Sequence, residues 1–335
     1  MKQANAKYKG VAAYLPERVV TNEELEKAGF DISPGDVFFK GVQRRHWASK
    51  HETSVYMGYK AAENLLKEQS TGANEIDLII CSALIGDNLL PHPVCGIQHK
   101  LGACNATAIT LDTGCASFVS GLIYASAMIR SGYFKKIVLI SISNFSGRAQ
   151  SKALNDSVLI PGDGAGAILI CASDDKQDGL QGWWEKSLGE YHQMLSIRAQ
   201  DEAGNQTNIW EPHKQIAFWF DNKLIDTLKM NGRELVPKAI RCALDNAGIE
   251  LDEIDICFTH QPNEFLVNCW REDLGLTEKN HYTTLATCGN LFQASIPVTM
   301  ASAINAGRLK QGDRVALGSF SFAGELAAGA VIQFG

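Results

Sequence analysis

The hydrophobic and polar positions of this chain follow the same pattern in two places, about half a chain apart. Residues 61–83 and 239–260 each predict an amphipathic helix, a polar turn, and a short apolar strand that Glu-Ile-Asp introduces. The offset between the copies is roughly 175–180 residues, and such self-similarity at a fixed distance indicates an internal duplication. The pattern therefore predicts two copies of one α/β unit.

The segments after each copy extend the duplication. Residues 109–141 and 283–319 each predict a strand, a tight turn, a long helix of small residues and a second strand. The helices expected at 121–132 and 294–307 are rich in alanine, serine and glycine, so they can pack closely and are expected at the centre of the molecule. Strands that alternate with helices predict layered sheets with helices between and outside them.

The overall composition argues against several classes of protein. The 335 residues carry a net charge of −6 and an isoelectric point of about 5.8, whereas a general nucleic-acid binder would show a basic stripe. The eight histidines show no HxxxH or HExxH spacing, so we expect no metal site. The nine cysteines show no CxxC spacing, which is typical of free thiols in a reducing cytoplasm. No signal peptide is visible, and no apolar run approaches the roughly 20 residues of a membrane span, so we expect a cytoplasmic protein.

One cysteine, Cys115, lies where a predicted strand gives way to a predicted helix, in LDTGCASFVSGL. A helix N-terminus favours a thiolate and lowers the pKa of a thiol, and its free N–H groups can hold an oxyanion. Gly114 would let the chain turn sharply before it. These features make Cys115 a candidate nucleophile; the alternative is a buried residue that only packs.

Two polar residues in the second copy are candidates for the same site. His260 follows the predicted strand in THQPN, and Asn290 follows Gly289 at the place that corresponds to Cys115. Taken singly, either could be a helix cap. Because all three residues lie at strand–helix junctions of equivalent units, the sequence favours one shared active site.

Eight segments along the chain form a recognisable series: YLPERVVTNEEL, GVQRRHWA, IDLIICSA, GCASFVSGL, PGDGAGAILI, MNGRELVPKAI, HQPN and GNLFQASIPV. In their order and spacing the chain resembles, over almost its whole length, the thiolase-like condensing enzymes, and among them the 3-oxoacyl-[acyl-carrier-protein] synthase III family. The resemblance implies an α/β fold in which a layered α/β/α/β/α arrangement is built from two pseudo-twofold halves. Residues 1–172 would carry the nucleophile, and residues 173–335 the histidine and asparagine. An irregular insertion at about 174–220 would be a surface excursion or a cap that lines the substrate.

The resemblance also implies roles for the candidate residues. Cys115 would attack an acyl thioester and become acylated. His260 and Asn290 would bind the thioester carbonyl of a malonyl-type donor and stabilise the enolate that forms as CO2 leaves. Asn263 in HQPN would support the His260 region. The expected ligands are acyl thioesters of an acyl carrier protein or coenzyme A, with no bound cofactor and no metal, in a homodimer.

Two departures from the family concern its usual partners. A tryptophan and an arginine that clamp coenzyme A in typical members fall on Gly35 and Phe39 here. The helix after HQPN usually carries basic residues that meet the acidic carrier protein. Those positions hold Phe265, Glu272 and Asp273, and an acidic helix would repel an acidic partner.

A third departure lies in the glycine-rich loop near the C-terminus. Ser319, Phe320 and Ser321 replace much of that loop, and Phe320 and Phe322 are expected to reshape the acyl pocket. Together the departures predict a specialised branch of the family, such as one in secondary metabolism. They leave the donor open between coenzyme A and a carrier protein.

Three functions are compatible with these residues. The leading interpretation is a ketosynthase that forms a carbon–carbon bond by decarboxylative Claisen condensation through an acyl-cysteine. The first alternative transfers the acyl group to an oxygen or nitrogen nucleophile without decarboxylation, with His260 as general base. The second alternative is a catalytically silent partner subunit.

Overall fold

Two β-sheets and the helices packed on them make up most of this computed structural model. It describes residues 4–30, 32, 40–146, 160–175, 178–192, 194–201, 205, 207, 215–220 and 224–335. The strands are β1 (Asn5–Tyr14), β2 (Val19–Thr21), β3 (Arg44–His46), β4 (Leu78–Ala83), β5 (Thr107–Thr110), β6 (Lys136–Ser143), β7 (Gly164–Ser173), β8 (Gly179–Ser187), β9 (Leu195–Gln200), β10 (Gln215–Phe220), β11 (Ile256–Thr259), β12 (Arg314–Phe320) and β13 (Leu326–Gln333). The helices are α1 (Asn22–Lys27), α2 (Ser54–Glu68), α3 (Val94–Leu101), α4 (Ser117–Arg130), α5 (Leu224–Thr227), α6 (Arg233–Ala247), α7 (Glu264–Asp273), α8 (Leu285–Cys288) and α9 (Ser295–Asn305).

The two sheets have the same topology, which confirms the predicted duplication. The first has the order β1-β7-β6-β4-β5 and the second has the order β11-β12-β13-β8. Each sheet contains a parallel pair, β4 with β6 in the first and β11 with β12 in the second. Two antiparallel pairs follow in each: β6 with β7 and β7 with β1 in the first sheet, and β12 with β13 and β13 with β8 in the second. The place of β5 is taken in the second sheet by His281, which bridges Cys257 in parallel. The halves predicted at 1–172 and 173–335 are in keeping with this pairing of strands and stay a prediction.

The central layer consists of α4 and α9, which are packed between the two sheets. Leu122 of α4 and Met300 of α9 belong to one buried cluster with Leu139 of the first sheet and Leu317 of the second. Small residues permit this close approach, because a Cβ on Gly121 would lie 2.6 Å from the Leu139 side chain. Since α2 and α3 cover the outer face of the first sheet and α6 and α7 that of the second, the predicted α/β/α/β/α layering is confirmed.

Part of the segment predicted as an irregular insertion belongs to the core fold. Strand β8 lies within 174–220 and forms the edge of the second sheet by pairing with β13. The remainder contains the two-stranded β9–β10 sheet. The alternation that marks β8 is weak, because its buried residues are two glycines and one leucine rather than large apolar side chains.

No helix among the described residues is long and apolar enough to cross a membrane.

Candidate active site

Cys115 lies in a one-turn 3₁₀ helix, Gly114–Ala116, that leads into α4. The Asp112 side chain opens this turn, since its Oδ1 accepts a hydrogen bond from the Gly114 N–H at 3.0 Å. Gly114 has φ = +57°, a left-handed conformation that favours glycine. A Cβ at this position would also lie 2.8 Å from the Phe322 ring. The sharp turn predicted before Cys115 therefore depends on glycine for two independent reasons.

The Cys115 thiol is buried among apolar side chains. It is 6% exposed and shares a cluster with Trp47, Phe145 and Phe292. Burial raises the pKa of Cys115 to about 12, although a hydrogen bond from the Phe322 backbone N–H acts in the opposite direction. The expected lowering of this pKa by the helix terminus is therefore wrong: desolvation of the thiolate outweighs it.

His260 follows β11 directly, as the sequence predicts. Its backbone N–H donates to the Gly318 carbonyl at 2.9 Å, which fixes the histidine beside β12. Its ring is 3% exposed and meets the Phe320 ring edge-on, with 6.0 Å between the centroids. Burial lowers the pKa of His260 to about 3, so the ring is neutral at physiological pH and carries one N–H donor.

Asn290 is held by the start of the PGDGAGAILI segment and by Ile160, the residue before it. Its backbone N–H donates to the Ile160 carbonyl at 2.9 Å, and its carbonyl accepts from the Gly162 N–H at 3.0 Å. The side-chain Oδ1 accepts from the Phe292 N–H at 2.8 Å. Among the described residues Nδ2 has no acceptor, so the amide is oriented with its two hydrogens as the free donors.

The turn after Asn290 matches the Cys115 turn, although in a different register from the one expected. The 3₁₀ turn Phe292–Ala294 precedes α9 as Gly114–Ala116 precedes α4. Phe292, with φ = +48°, takes the place of Gly114. Gln293 therefore corresponds to Cys115, and Asn290 lies three residues before that position. The predicted equivalence of Asn290 and Cys115 is wrong by this shift, because a pattern of small and apolar residues does not fix the register of a turn.

The segments that carry the three predicted residues are linked through the turns that precede the two central helices. The Gly114–Ala116 turn packs against the Phe292–Ala294 turn, and Phe292 shares the apolar cluster of Cys115. The Phe292 backbone also interacts with the His260 ring, where it raises the imidazole pKa slightly against the effect of burial. The turn of the candidate nucleophile thus packs against the turn that follows Asn290 and contacts His260, and a thiol with uncharged hydrogen-bond donors is a set of groups suited to acyl transfer and to binding a developing oxyanion. No cluster of metal-ligating side chains occurs in the part of the chain that the structure describes.

Comparison with known proteins agrees with this geometry. The family model described as 3-oxoacyl-[acyl-carrier-protein (ACP)] synthase III matches residues 109–184. A second family model, which describes the C-terminal part of the same enzymes, matches residues 244–334. The β-ketoacyl-[acyl-carrier-protein] synthase III of Listeria welshimeri is 30% identical over 347 residues, which cover 98% of each chain. The chain belongs to the 3-oxoacyl-[acyl-carrier-protein] synthase III family.

Solved structures of the family show the same fold. The synthase III structure from Thermus thermophilus is 26% identical with a TM-score of 0.85, and covers 98% of this chain and 99% of that one. The structure from Aquifex aeolicus is 26% identical with a TM-score of 0.82, covering 98% and 100%. The predicted family and the predicted thiolase-like fold are confirmed, and as a family member the protein is an enzyme of the transferase class. The ketosynthase function expected from the sequence agrees with the names of these relatives.

Asn263, the predicted supporting residue, caps the helix that follows His260. Its Oδ1 accepts from the Leu266 N–H at 2.9 Å, and the residue is 5% exposed. The cap, three residues after His260, fixes the start of α7, because it satisfies one of the free N–H groups of the helix.

A basic residue that the sequence analysis missed lies beside α7. The Arg233 guanidinium, at the start of α6, lies 6.0 Å from the centre of the Phe265 ring. Phe265 holds one of the positions that are basic in the family, so Arg233 returns a positive charge to this surface from a neighbouring helix. Asp273 is neutralised in part by Arg241 at 2.7 Å. The sequence around HQPN could not reveal this positive charge, because Arg233 lies 32 residues before Phe265 and reaches it only through helix packing.

The two positions expected to clamp coenzyme A, Gly35 and Phe39, lie outside the described residues.

Proposed function

We propose that this family member is a ketosynthase that acylates Cys115 and then condenses the acyl group with a malonyl-type thioester. The observation that carries the proposal is that two uncharged hydrogen-bond donors lie on segments linked to the Cys115 turn through Phe292. His260 is neutral, and Asn290 has its Oδ1 occupied by the Phe292 N–H. Two uncharged donors of this kind suit an enolate oxygen, whose charge develops only during the reaction.

In the first half-reaction the Cys115 sulfur forms a bond to the thioester carbonyl carbon. The carbonyl oxygen becomes an oxyanion, and the backbone N–H of Cys115 is the donor proposed to bind it. The bond to the departing sulfur then breaks, and the proton of the Cys115 thiol ends on the leaving thiol. The products are an acyl-cysteine and a free carrier thiol.

In the second half-reaction the bond between the malonyl methylene carbon and its carboxylate breaks. The electron pair enters the thioester as an enolate, whose oxygen His260 and Asn290 bind, and CO2 leaves. The carbanion carbon attacks the acyl-cysteine carbonyl and expels the Cys115 thiolate, which takes a proton from solvent. The product is a 3-oxoacyl thioester.

Two measurements together test this function. Intact mass after incubation with a panel of acyl thioesters should show one acyl adduct, and a labelled malonyl carboxylate should then appear as CO2. An adduct on Cys115 without CO2 release would favour transfer to an oxygen or nitrogen nucleophile instead. Absence of both would favour a silent partner subunit.

We also propose a carrier-protein thioester as a substrate and a specialised place in metabolism. The residues at Gly35 and Phe39 support a departure from the usual coenzyme A ligand, and the altered segment Ser319–Ser321 supports a specialised acyl substrate. Ordinary turnover with acetyl-coenzyme A and malonyl carrier protein would overturn the specialised assignment. A cytoplasmic location stays a prediction.

Reversing the charge at Arg233 should weaken use of a carrier-linked substrate. For Arg233→Glu we expect KM to rise about 10-fold for an acyl carrier protein thioester and to stay unchanged for a small N-acetylcysteamine thioester, because only the protein partner brings acidic side chains to this surface. Steady-state kinetics at two salt concentrations would measure this. Lys310→Glu is the matched control. Lys310 is exposed and follows the C-terminal end of α9, whereas the candidate active site lies at the N-terminal end of that helix. Equal effects on both substrates would contradict the docking role.

A homodimer is proposed as well. Strand β5 forms an edge of the first sheet, where β4 is its one strand partner among the described residues, and an edge strand can pair with a second strand. Leu89 and Leu90 are 59% and 77% exposed, an unusual amount for two adjacent leucines. Each feature separately supports a partner subunit.

A further inference from the structure

Two serines that depart from the family pattern are bonded to the Cys115 turn. Ser319 and Ser321 alternate at the end of β12, so their side chains point the same way, and they are 0% and 1% exposed. Ser319 Oγ donates to the Cys115 carbonyl at 2.9 Å. Ser321 Oγ accepts from the Ala116 N–H at 3.3 Å and donates to the Thr113 carbonyl.

These bonds fix two peptide units, one on each side of the nucleophile. The unit that joins Cys115 to Ala116 is held at its carbonyl by Ser319 and at its N–H by Ser321. The unit that joins Thr113 to Gly114 is held at its carbonyl by Ser321 and at its N–H by Asp112. A peptide unit is planar, so fixing both ends fixes its orientation.

The unit between them, Gly114–Cys115, is held differently. Its carbonyl accepts from Ser117 Oγ at 2.7 Å. Its N–H, which belongs to Cys115, donates to no other residue in the described part of the chain and contacts only its own sulfur. The turn thus leaves one N–H unused, next to the thiol, and determines its direction through the units on either side.

We propose that Ser319 and Ser321 are positioning residues that aim the Cys115 N–H at the oxyanion of the thioester reaction. This inference rests on the proposed acylation of Cys115. The hydroxyls act on the donor that binds the oxyanion, and their hydrogen bonds among the described residues go to backbone groups and to no sulfur. Their removal should therefore affect reactions that form an oxyanion and spare reactions that do not.

Two reactions of the same sulfur separate these effects. Acylation by a thioester passes through an oxyanion, whereas alkylation by iodoacetamide displaces iodide and forms none. In Ser321→Ala and in Ser319→Ala we expect acylation of Cys115 to slow roughly 10- to 100-fold, as a misdirected catalytic group does. Alkylation should stay within about twofold of the wild type. Peptide mass spectrometry would assign both products to Cys115.

Ser126→Ala is the matched control. Like Ser319 and Ser321, Ser126 is buried and its Oγ donates to a backbone carbonyl, that of Leu122, but it lies on α4 away from the Cys115 turn. It should leave both rates unchanged. Ser319→Ala loses a single hydrogen bond, so it keeps the test open if Ser321→Ala does not fold.

Equal slowing of both reactions, or of neither, would overturn the positioning role while leaving the proposed function intact. A wild-type protein that is alkylated and never acylated would overturn the proposed function and this inference with it.

Discussion

Replacing Cys115 with alanine should abolish formation of the acyl-enzyme. We expect the rate of 3-oxoacyl product formation to fall by at least about 1,000-fold, because the substitution removes the sulfur proposed to carry the acyl chain. Intact mass after incubation with the preferred thioester would show the loss of the adduct directly.

The chain offers controls for this experiment among its other cysteines. Cys288 is 5% exposed and lies close to the site, so Cys288→Ala should keep the adduct. Cys95 and Cys104 are exposed and could react with a thioester nonspecifically. An adduct that persists in Cys115→Ala and maps to either of them would contradict the assignment of the nucleophile.

Removing His260 or Asn290 should separate the two half-reactions. In His260→Ala and Asn290→Ala we expect Cys115 to be acylated at close to the wild-type rate, while release of CO2 from a malonyl thioester falls about 100-fold or more. The reason is that these donors are proposed to bind the enolate oxygen, which does not exist until the second half-reaction. Labelled CO2 and intact mass on the same samples would report both steps.

Asn305→Ala provides the control. Asn305 is exposed at the C-terminal end of α9, the helix that follows the Phe292–Ala294 turn. Its decarboxylation should be unchanged. Loss of acylation together with decarboxylation in the two site variants would show that these residues act on the thiol, as a general base would, and would favour transfer to an oxygen or nitrogen acceptor.

The pH dependence of this step follows from the sign of the His260 shift. Its pKa in the folded protein, about 3, lies below the usual value of 6.5, so the ring stays neutral and functional over the ordinary working range. No loss of decarboxylation due to His260 is expected between pH 8 and about 5. The stability that the neutral ring contributes is complete above pH 6.5 and declines as pH falls towards 3, because the unfolded state then takes up the proton.

The parts of this molecule that the sequence predicted are those encoded in short, repeated patterns. The strands introduced by Glu-Ile-Asp predicted that His260 lies at a strand end, and the helices of small residues predicted the central layer. The interpretation of Asn290 as a partner of Cys115 depended on the same symmetry, and the structure brings the two turns together.

The parts that it missed depend on packing between distant segments. The Cys115 pKa is set by the apolar side chains around the thiol, which come from several separate stretches of chain. Arg233 reaches Phe265 across two helices. The register of Asn290 follows from its bonds to Ile160 and Gly162, and no local pattern around residue 290 contains them.

The Cys115 turn is held by hydrogen bonds from the second half of the chain, and Asn290 is held by hydrogen bonds from the first half. The hydroxyl that holds the Cys115 carbonyl is 204 residues further along the chain, and the backbone that holds Asn290 lies about 130 residues before it. Neither contact can form before both of its segments have been synthesised. A nascent chain that has emerged only as far as the first half therefore carries its thiol without the geometry that would make it an acyl acceptor, and acquires that geometry when the last two strands dock.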